Sequence, residues 1–131
     1  MKVIIAEKPS VAREIARVVR ATNKKNGYFE GGGYAVTWAL GHLITAAMPE
    51  VYGIKGFHKE NLPILPPVFT LIPRQIKEGK GYKADAAAVA QLKIIEKLFR
   101  ACEGIIVATD AGREGELIFR FIYEYLGIAK P

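Results

Sequence analysis

Three carboxylates crowd one short segment near the end of the sequence. Asp110, Glu114 and Glu116 follow the apolar run Gly104–Ala108 and precede a helical pattern that ends at Leu126. Carboxylates at a strand exit and in the first turn of a helix are natural ligands for a hard divalent cation such as Mg²⁺. The alternative is an acidic helix start that only the helix dipole favours.

A fourth acid, Glu7, follows a second apolar run, Val3–Ala6. If the two apolar runs are neighbouring strands, Glu7 and Asp110 meet at one edge of one sheet. Asp110 and Glu114 are four residues apart and share a face if the helix begins early. Like charges this close repel, so a cation or bound protons must compensate them. The spacing therefore favours a metal site over an accidental cluster.

Basic residues stand beside these acids. Lys8 follows Glu7 and Arg113 precedes Glu114, so both are placed to contact a phosphate bound at the same point. The chain has 131 residues and a net charge of +6, with seven basic and two acidic residues in positions 1–25. A basic segment beside an acidic cluster suits a polyanion held near a metal. A solvated basic helix face is an equally good interpretation of the charge alone.

The opening of the chain has the pattern of an α/β unit. Residues 2–6 are short, apolar and β-branched, as in a buried strand, and Pro9 suits the first position of a helix. Along that helix, apolar residues recur at helical spacing and a second face carries a basic stripe. The apolar residues are Val11, Ile15, Val18 and Val19, and the basic ones are Arg13, Arg17 and Arg20.

The middle of the chain is less regular. Residues 27–30 and 34–38 have strand composition and are separated by three glycines, which predicts a β-hairpin. A phosphate-binding loop is disfavoured because a strand follows the glycines and no Gly-Lys-Ser/Thr occurs. The proline-rich residues 49–83 are interpreted as a connection with one extended segment near 68–72. Trp38 is expected in the core rather than as a base-stacking platform. For His42, a packed histidine that anchors a loop is favoured over a catalytic one, and its role stays open.

The last third of the sequence again has clear helical and strand patterns. Alanine content and apolar spacing predict a helix from Ala84 to Cys102. A strand over 104–108 follows, and then a helix over 113–126 that Gly127 ends. Tyr123 and Tyr125 lie on this last helix, where packing explains them better than chemistry.

Composition narrows the class of protein. No apolar run is long enough to span a membrane. Glu7, Lys8 and Pro9 interrupt the first apolar stretch too early for a signal peptide. The one cysteine, Cys102, excludes an internal disulfide, fits a reducing cytoplasm and is expected to be a buried structural thiol. We expect a single domain over residues 1–131.

Two segments resemble the signature motifs of the Toprim domain of type IA DNA topoisomerases, nearest to the bacterial topoisomerase III subfamily. They are residues 6–10 (AEKPS) and 108–116 (ATDAGREGE). Residues 38–43 (WALGHL) resemble a further segment of that subfamily, and the resemblance covers essentially the whole chain. Paired acidic motifs at this separation are highly specific. The resemblance implies an α/β, Rossmann-like Toprim fold: a mostly parallel central sheet flanked by helices, with a β-hairpin insertion.

The resemblance also implies roles for individual residues. Glu7, Asp110 and Glu114 would bind Mg²⁺, and Glu7 would also serve proton transfer near the scissile phosphate. Lys8 would contact that phosphate, and Glu7, Lys8 and Arg113 form the expected catalytic set. The residues expected to contact DNA are Lys8, Arg13, Arg17 and Arg113.

The implied activity is ATP-independent cleavage of one DNA strand, passage of another strand and religation. The expected partners are a single-stranded DNA segment and the remaining domains of the same topoisomerase, with no membrane involved. A cytoplasmic, nucleoid-associated bacterial protein is expected. The nucleophilic tyrosine of the family lies in a later domain that no segment here matches. We therefore expect a domain cut from a longer enzyme, unable to cleave or relax DNA by itself.

One position departs from the family motif. Gly112 stands where the family has a second aspartate, which favours a single Mg²⁺ over a pair. Whether Glu116 substitutes for the missing acid stays open. Three other classes remain as alternatives: a Toprim primase or nuclease, a Toprim module that binds nucleic acid without chemistry, and a Rossmann-like nucleotide binder. The last lacks the glycine fingerprint after the first strand.

Overall fold

The computed structural model describes residues 1–47, 70–79 and 81–131. The predicted strands at 2–6 and 104–108 and the predicted helices from Pro9 and over 113–126 are confirmed. The elements, in chain order, are β1 Lys2–Ala6, α1 Pro9–Val19, β2 Asn23–Lys25, β3 Tyr28–Gly31, β4 Tyr34–Trp38, β5 Ile44–Ala46, β6 Leu71–Pro73, β7 Gln75–Glu78, β8 Gly81–Ala84, α2 Ala86–Ala101, β9 Gly104–Ala108 and α3 Arg113–Leu126.

A five-stranded sheet in the order β2-β3-β4-β1-β9 forms the centre of the fold. Strands β4, β1 and β9 are mutually parallel, and β3 and β2 extend the sheet in antiparallel pairs. The mixed α/β class is therefore as predicted, and its parallel part carries the acidic motifs. The glycine turn joins β3 to β4 inside this sheet, and the structure does not set the pair apart as an insertion.

The proline-rich stretch contains more structure than predicted. In its described part, β6 pairs with β5, and β7 pairs with β8, each in antiparallel register. The expected extended segment near 68–72 is only partly described: Leu71 and Ile72 lie in β6, whereas residues 68 and 69 lie outside the described residues. The prediction of a plain connection with one extended segment was too simple, because short strand pairs leave no long apolar pattern.

The two faces of the sheet carry separate parts of the core. Val3 and Ile5 of β1 pack with α2 and α3, whereas Ile4 and Ala6 pack with α1. This division follows from the alternation of side chains along a strand. The central strand is consequently buried on both faces, as its continuous apolar sequence indicated.

The buried face of α1 agrees in part with the predicted one. Val11, Ile15 and Val19 are partly buried and pack against the core. Val18 is instead 74% exposed, and the buried residues are Ala12 and Ala16. Small residues let the helix lie close to the sheet, and hydrophobic spacing alone does not reveal this. Trp38 packs as expected: its ring lies 5.8 Å from that of Phe29, centroid to centroid.

Helix α2 packs on the opposite face, and it begins two residues after and ends one residue before the predicted limits of Ala84 and Cys102. Asp85 caps it by accepting a hydrogen bond from the Ala87 amide at 3.1 Å. The expected buried thiol is confirmed, since Cys102 is 2% exposed and its Sγ donates to the Phe99 carbonyl at 3.2 Å. Within residues 1–47, 70–79 and 81–131, no helix has the length and apolar character needed to cross a membrane.

Candidate functional site

Three parallel strands, β1, β4 and β9, end at the same level. The three motif segments, residues 6–10, 38–43 and 108–116, therefore begin at one edge of the sheet. Ala6 at the end of β1 is in register with Trp38 at the end of β4 and with Ala108 at the end of β9. The residues that follow, Glu7 among them, therefore leave the sheet side by side. In open α/β sheets this carboxyl edge is the usual place for a ligand.

Glu7 and Asp110 meet at this edge, as the two apolar runs predicted. The Glu7 Oε1 atom accepts a hydrogen bond from the Asp110 backbone amide at 3.4 Å. Glu7 is half-buried and Asp110 is exposed. The backbone turns sharply after Asp110, where its carbonyl accepts from the Gly112 amide at 2.8 Å. This turn starts α3 directly beside the acid.

The two acids in the first turn of α3 have different partners. Glu114 Oε2 lies 2.9 Å from His42 Nε2, whereas Glu116 Oε1 accepts from Arg120 Nε one helical turn later. The hydrogen bond and the negative charge of Glu116 raise the pKa of Arg120 above its ordinary value. Glu114 is thus engaged at the sheet edge, and Glu116 is engaged along its own helix.

His42 is a residue whose role sequence reasoning left open, with a packed loop anchor favoured over a catalytic histidine. Its side chain is 42% exposed and contacts an acid of the site. The available signal was its position four residues after Trp38, the end of β4. What the sequence did not reveal is that β4 pairs in parallel with β1, which brings His42 to the same edge.

The loop that carries His42 is fixed from both sides. The Ala39 amide donates to the Ala6 carbonyl at 2.9 Å, and the Gly41 amide donates to the Glu7 carbonyl at 3.5 Å. From the other side, an Arg74 guanidinium nitrogen donates to the Leu40 carbonyl. We call residues 39–42 the edge loop.

Arg74 itself is held in place by an ion pair. Its Nη2 lies 3.0 Å from Asp85 Oδ2, and both side chains are partly buried. Asp85 also caps α2. The edge loop is therefore braced by α2 through one arginine, a role that the family resemblance did not suggest.

A second support under this region was also missed by sequence reasoning. Gln91, in the middle of α2, is 6% exposed. Its Nε2 lies 2.8 Å from the Trp38 carbonyl, 3.1 Å from Thr37 Oγ1 and 3.2 Å from the Gly27 carbonyl. A glutamine inside a helical pattern gives no hint that it holds the end of β4.

The expected phosphate-contacting residues lie at helix starts. Lys8 is the exposed N-cap residue of α1, and Arg113 is the exposed first residue of α3. Helix N-termini carry partial positive charge, so both positions favour an anion. Arg13 and Arg17 are exposed along α1, and Arg17 pairs with Glu14 at 3.1 Å.

The acids at this edge can be compared with the ligands that a divalent cation needs. Glu7 and Asp110 are brought together, whereas Glu114 is bonded to His42. Over the described residues, no three side chains of His, Cys, Asp or Glu group closely enough to hold a metal ion. Mg²⁺ commonly needs only one or two carboxylates, because waters and substrate phosphates fill its other positions. The donor chemistry of this edge fits such a hydrated ion.

The fold and this edge define the class of the protein. The family model described as "Toprim domain" matches residues 2–131, and the chain belongs to that family. It is 49% identical over 132 residues to the protein named DNA topoisomerase 3 from Bacillus thuringiensis (strain Al Hakam). It is 44% identical over 131 residues to DNA topoisomerase 3 from Bacillus subtilis (strain 168). Each match covers 98% of this chain but 17% of the relative, so the chain spans a small part of their length.

Proposed function

We propose that this chain is the Mg²⁺-binding catalytic domain at the N-terminal end of a type IA DNA topoisomerase of the topoisomerase III kind. The observation that carries the proposal is the meeting of Glu7 with Asp110 at the carboxyl edge of two parallel neighbouring strands. The relatives named DNA topoisomerase 3 support the same assignment. The substrate of the whole enzyme is a single-stranded segment of DNA.

The starts of α1 and α3 supply the groups that bind phosphate at this edge. Lys8, at the start of α1, attracts a backbone phosphate through its ammonium group and the positive end of the helix. Arg113, at the start of α3, would contact the same phosphate. Both residues are exposed and thus accessible to a strand of DNA.

The carboxylates hold the cation and a proton. Glu7, Asp110 and Glu114 would supply the protein ligands for Mg²⁺, which when bound neutralises charge on the phosphate. The Asp110 amide donates to Glu7 Oε1, so Oε2 is the oxygen that would accept and return the proton of the reacting group. Catalysis at such a site consists of positioning and electrostatic stabilisation.

A metal titration tests the proposal on this chain. Mn²⁺ binding is measured by electron paramagnetic resonance in the presence of a short single-stranded oligonucleotide, for the wild type and for Asp110→Asn. We expect the substitution to weaken binding. Glu116→Gln is the matched control, because Glu116 is an acid of the same segment that is paired with Arg120. Equal affinity of wild type and Asp110→Asn would reject Asp110 as a ligand.

A second candidate is a Toprim module that binds nucleic acid without chemistry. The exposed basic residues Lys8, Arg13 and Arg113 would serve such a module equally well. This module would bind the oligonucleotide with the same affinity in Mn²⁺ and in chelator, whereas the metal-dependent enzyme domain would not.

A further inference from the structure

The edge loop gives His42 a rigid base. The backbone on its N-terminal side is bonded to β1 through Ala39 and to Glu7 through Gly41. On its C-terminal side, Leu43 and Ile44 are 0% and 1% exposed and anchor the chain in the core. His42 therefore projects from a segment held on both sides, immediately beside the Glu7 backbone.

Unlike His42, Glu114 has no rigid support of its own. Its side chain is 73% exposed and carries several rotatable bonds, so an isolated Glu114 would sample many orientations. Its Oε2 lies 2.9 Å from His42 Nε2. A hydrogen bond from a fixed imidazole restricts the carboxylate to one orientation. In the described part of the chain, this bond engages one carboxylate oxygen and leaves Oε1 for another partner.

The contact with His42 also distinguishes Glu114 from Glu116, the other acid in the first turn of α3. Glu116 is bonded to Arg120 along the exposed surface of α3, and Glu114 is bonded to His42 at the ends of β1 and β4. Only Glu114 is therefore tied to the edge where Glu7 and Asp110 meet.

We propose that His42 is a positioning residue that orients Glu114 as a ligand of the divalent cation. The inference rests on the proposed function, since it assigns an outer partner to one of the proposed ligands. Hydrogen bonds to a ligating carboxylate fix its direction and strengthen binding, and loss of such a partner typically weakens metal affinity about 10–100-fold. His42 does not touch the metal or the substrate in this role.

Three substitutions separate this role from a structural one. His42→Ala removes the donor and weakens Mn²⁺ binding about tenfold. His42→Gln places an amide nitrogen near the position of Nε2 and restores much of the affinity. His42→Asn places its amide near Nδ1, too short to reach Glu114, and does not restore it. Thermal unfolding is nearly unchanged in all three, because the side chain is 42% exposed.

Glu114→Gln completes the test. If His42 acts through Glu114, the double variant His42→Ala, Glu114→Gln binds Mn²⁺ no more weakly than Glu114→Gln alone. Independently of any metal, Glu114→Gln shifts the ring ¹⁵N resonances of His42 in the metal-free protein, whereas Glu116→Gln leaves them unchanged.

The outcomes distinguish this inference from the proposed function. If Asp110→Asn binds Mn²⁺ as well as the wild type, the proposed metal site is wrong. If Asp110→Asn weakens binding but His42→Ala does not, the metal site stands and the role of His42 is wrong. Equal behaviour of the Gln and Asn variants, or unshifted His42 resonances in Glu114→Gln, would also overturn that role.

Discussion

Gly115 in the first turn of α3 lies directly against the backbone of Asp110. A Cβ atom at position 115 would overlap the Asp110 carbonyl oxygen and crowd its amide nitrogen, which is itself bonded to Glu7 Oε1. The glycine therefore lets the helix start fold tightly under the acid. The position of Asp110 depends on a residue with no side chain.

Gly115→Ala is expected to lower the free energy of unfolding by about 1–3 kcal/mol, because the backbone contact leaves the methyl group no space. Urea unfolding measures this change. Gly112→Ser is the control: no heavy atom lies within 4 Å of its Cβ, and serine is a favoured N-cap residue. Gly112→Ser should keep or raise the free energy of unfolding. Equal stability of the wild type and Gly115→Ala would show that the loop adjusts freely.

The support under β4 makes a separate prediction. Gln91→Leu removes the donor that faces the Trp38 and Gly27 carbonyls and Thr37 Oγ1. We expect a loss of about 1–3 kcal/mol in the free energy of unfolding, because buried acceptors are left unsatisfied. Lys93→Leu, on the exposed face of the same helix, should change stability by less than about 0.5 kcal/mol. A stable Gln91→Leu variant would contradict the importance of this network.

The basic stripe of α1 predicts a salt-dependent affinity for DNA. Each arginine that contacts a phosphate contributes about 0.7 to the slope of log affinity against log salt for single strands. Arg13→Ala combined with Arg17→Ala should weaken binding of a single-stranded oligonucleotide and flatten that slope. Fluorescence anisotropy at several salt concentrations measures both. A control pair, Lys93→Ala with Lys97→Ala, removes the same charge from exposed positions of α2. Equal slopes in the two double variants would show that α1 contributes charge but no contact.

The sequence predicted those features that follow from local pattern. Short apolar runs predicted strands β1 and β9, and acids placed just after two such strands had to meet once the strands proved to be neighbours. That reasoning located Glu7 and Asp110 correctly. Gly127 alone also predicted the end of α3 correctly, and it adopts the left-handed backbone typical of a helix C-terminus.

Pairings between distant, non-periodic residues could not be predicted in the same way. His42 and Glu114 are 72 positions apart, and Gln91 and Thr37 are 54 apart. Neither contact produces a repeating pattern of residues from which it could be predicted. Side-chain packing was also misjudged locally: Tyr123 is anchored by its hydroxyl to the Lys130 carbonyl, but Tyr125 is 41% exposed, so packing explains only the first.

The chain of 131 residues is expected not to relax supercoiled plasmid in the presence of Mg²⁺, since no tyrosine segment matches the family nucleophile. Agarose electrophoresis after incubation measures the change in topology. Tyr82 supplies the sharpest check, because it is 66% exposed and shares a cavity of about 260 Å³ with His42. Relaxation by the wild type that disappears in Tyr82→Phe would identify a nucleophile within this chain and contradict the prediction.

Gly112 allows the missing acid of the motif to be restored. Its φ of −156° is ordinary extended backbone, and the space around its Cβ is open, so an aspartate fits without strain. Gly112→Asp adds a carboxylate between Asp110 and Glu114, and we expect tighter Mn²⁺ binding because affinity rises with the number of charged ligands. Gly112→Asn is the matched control, since it has the same shape and capping ability but no charge. Tighter binding in the Asp variant alone would indicate that position 112 faces the cation. Equal affinity in both variants would indicate that the glycine lies outside the site and that its only role is to turn the chain into α3.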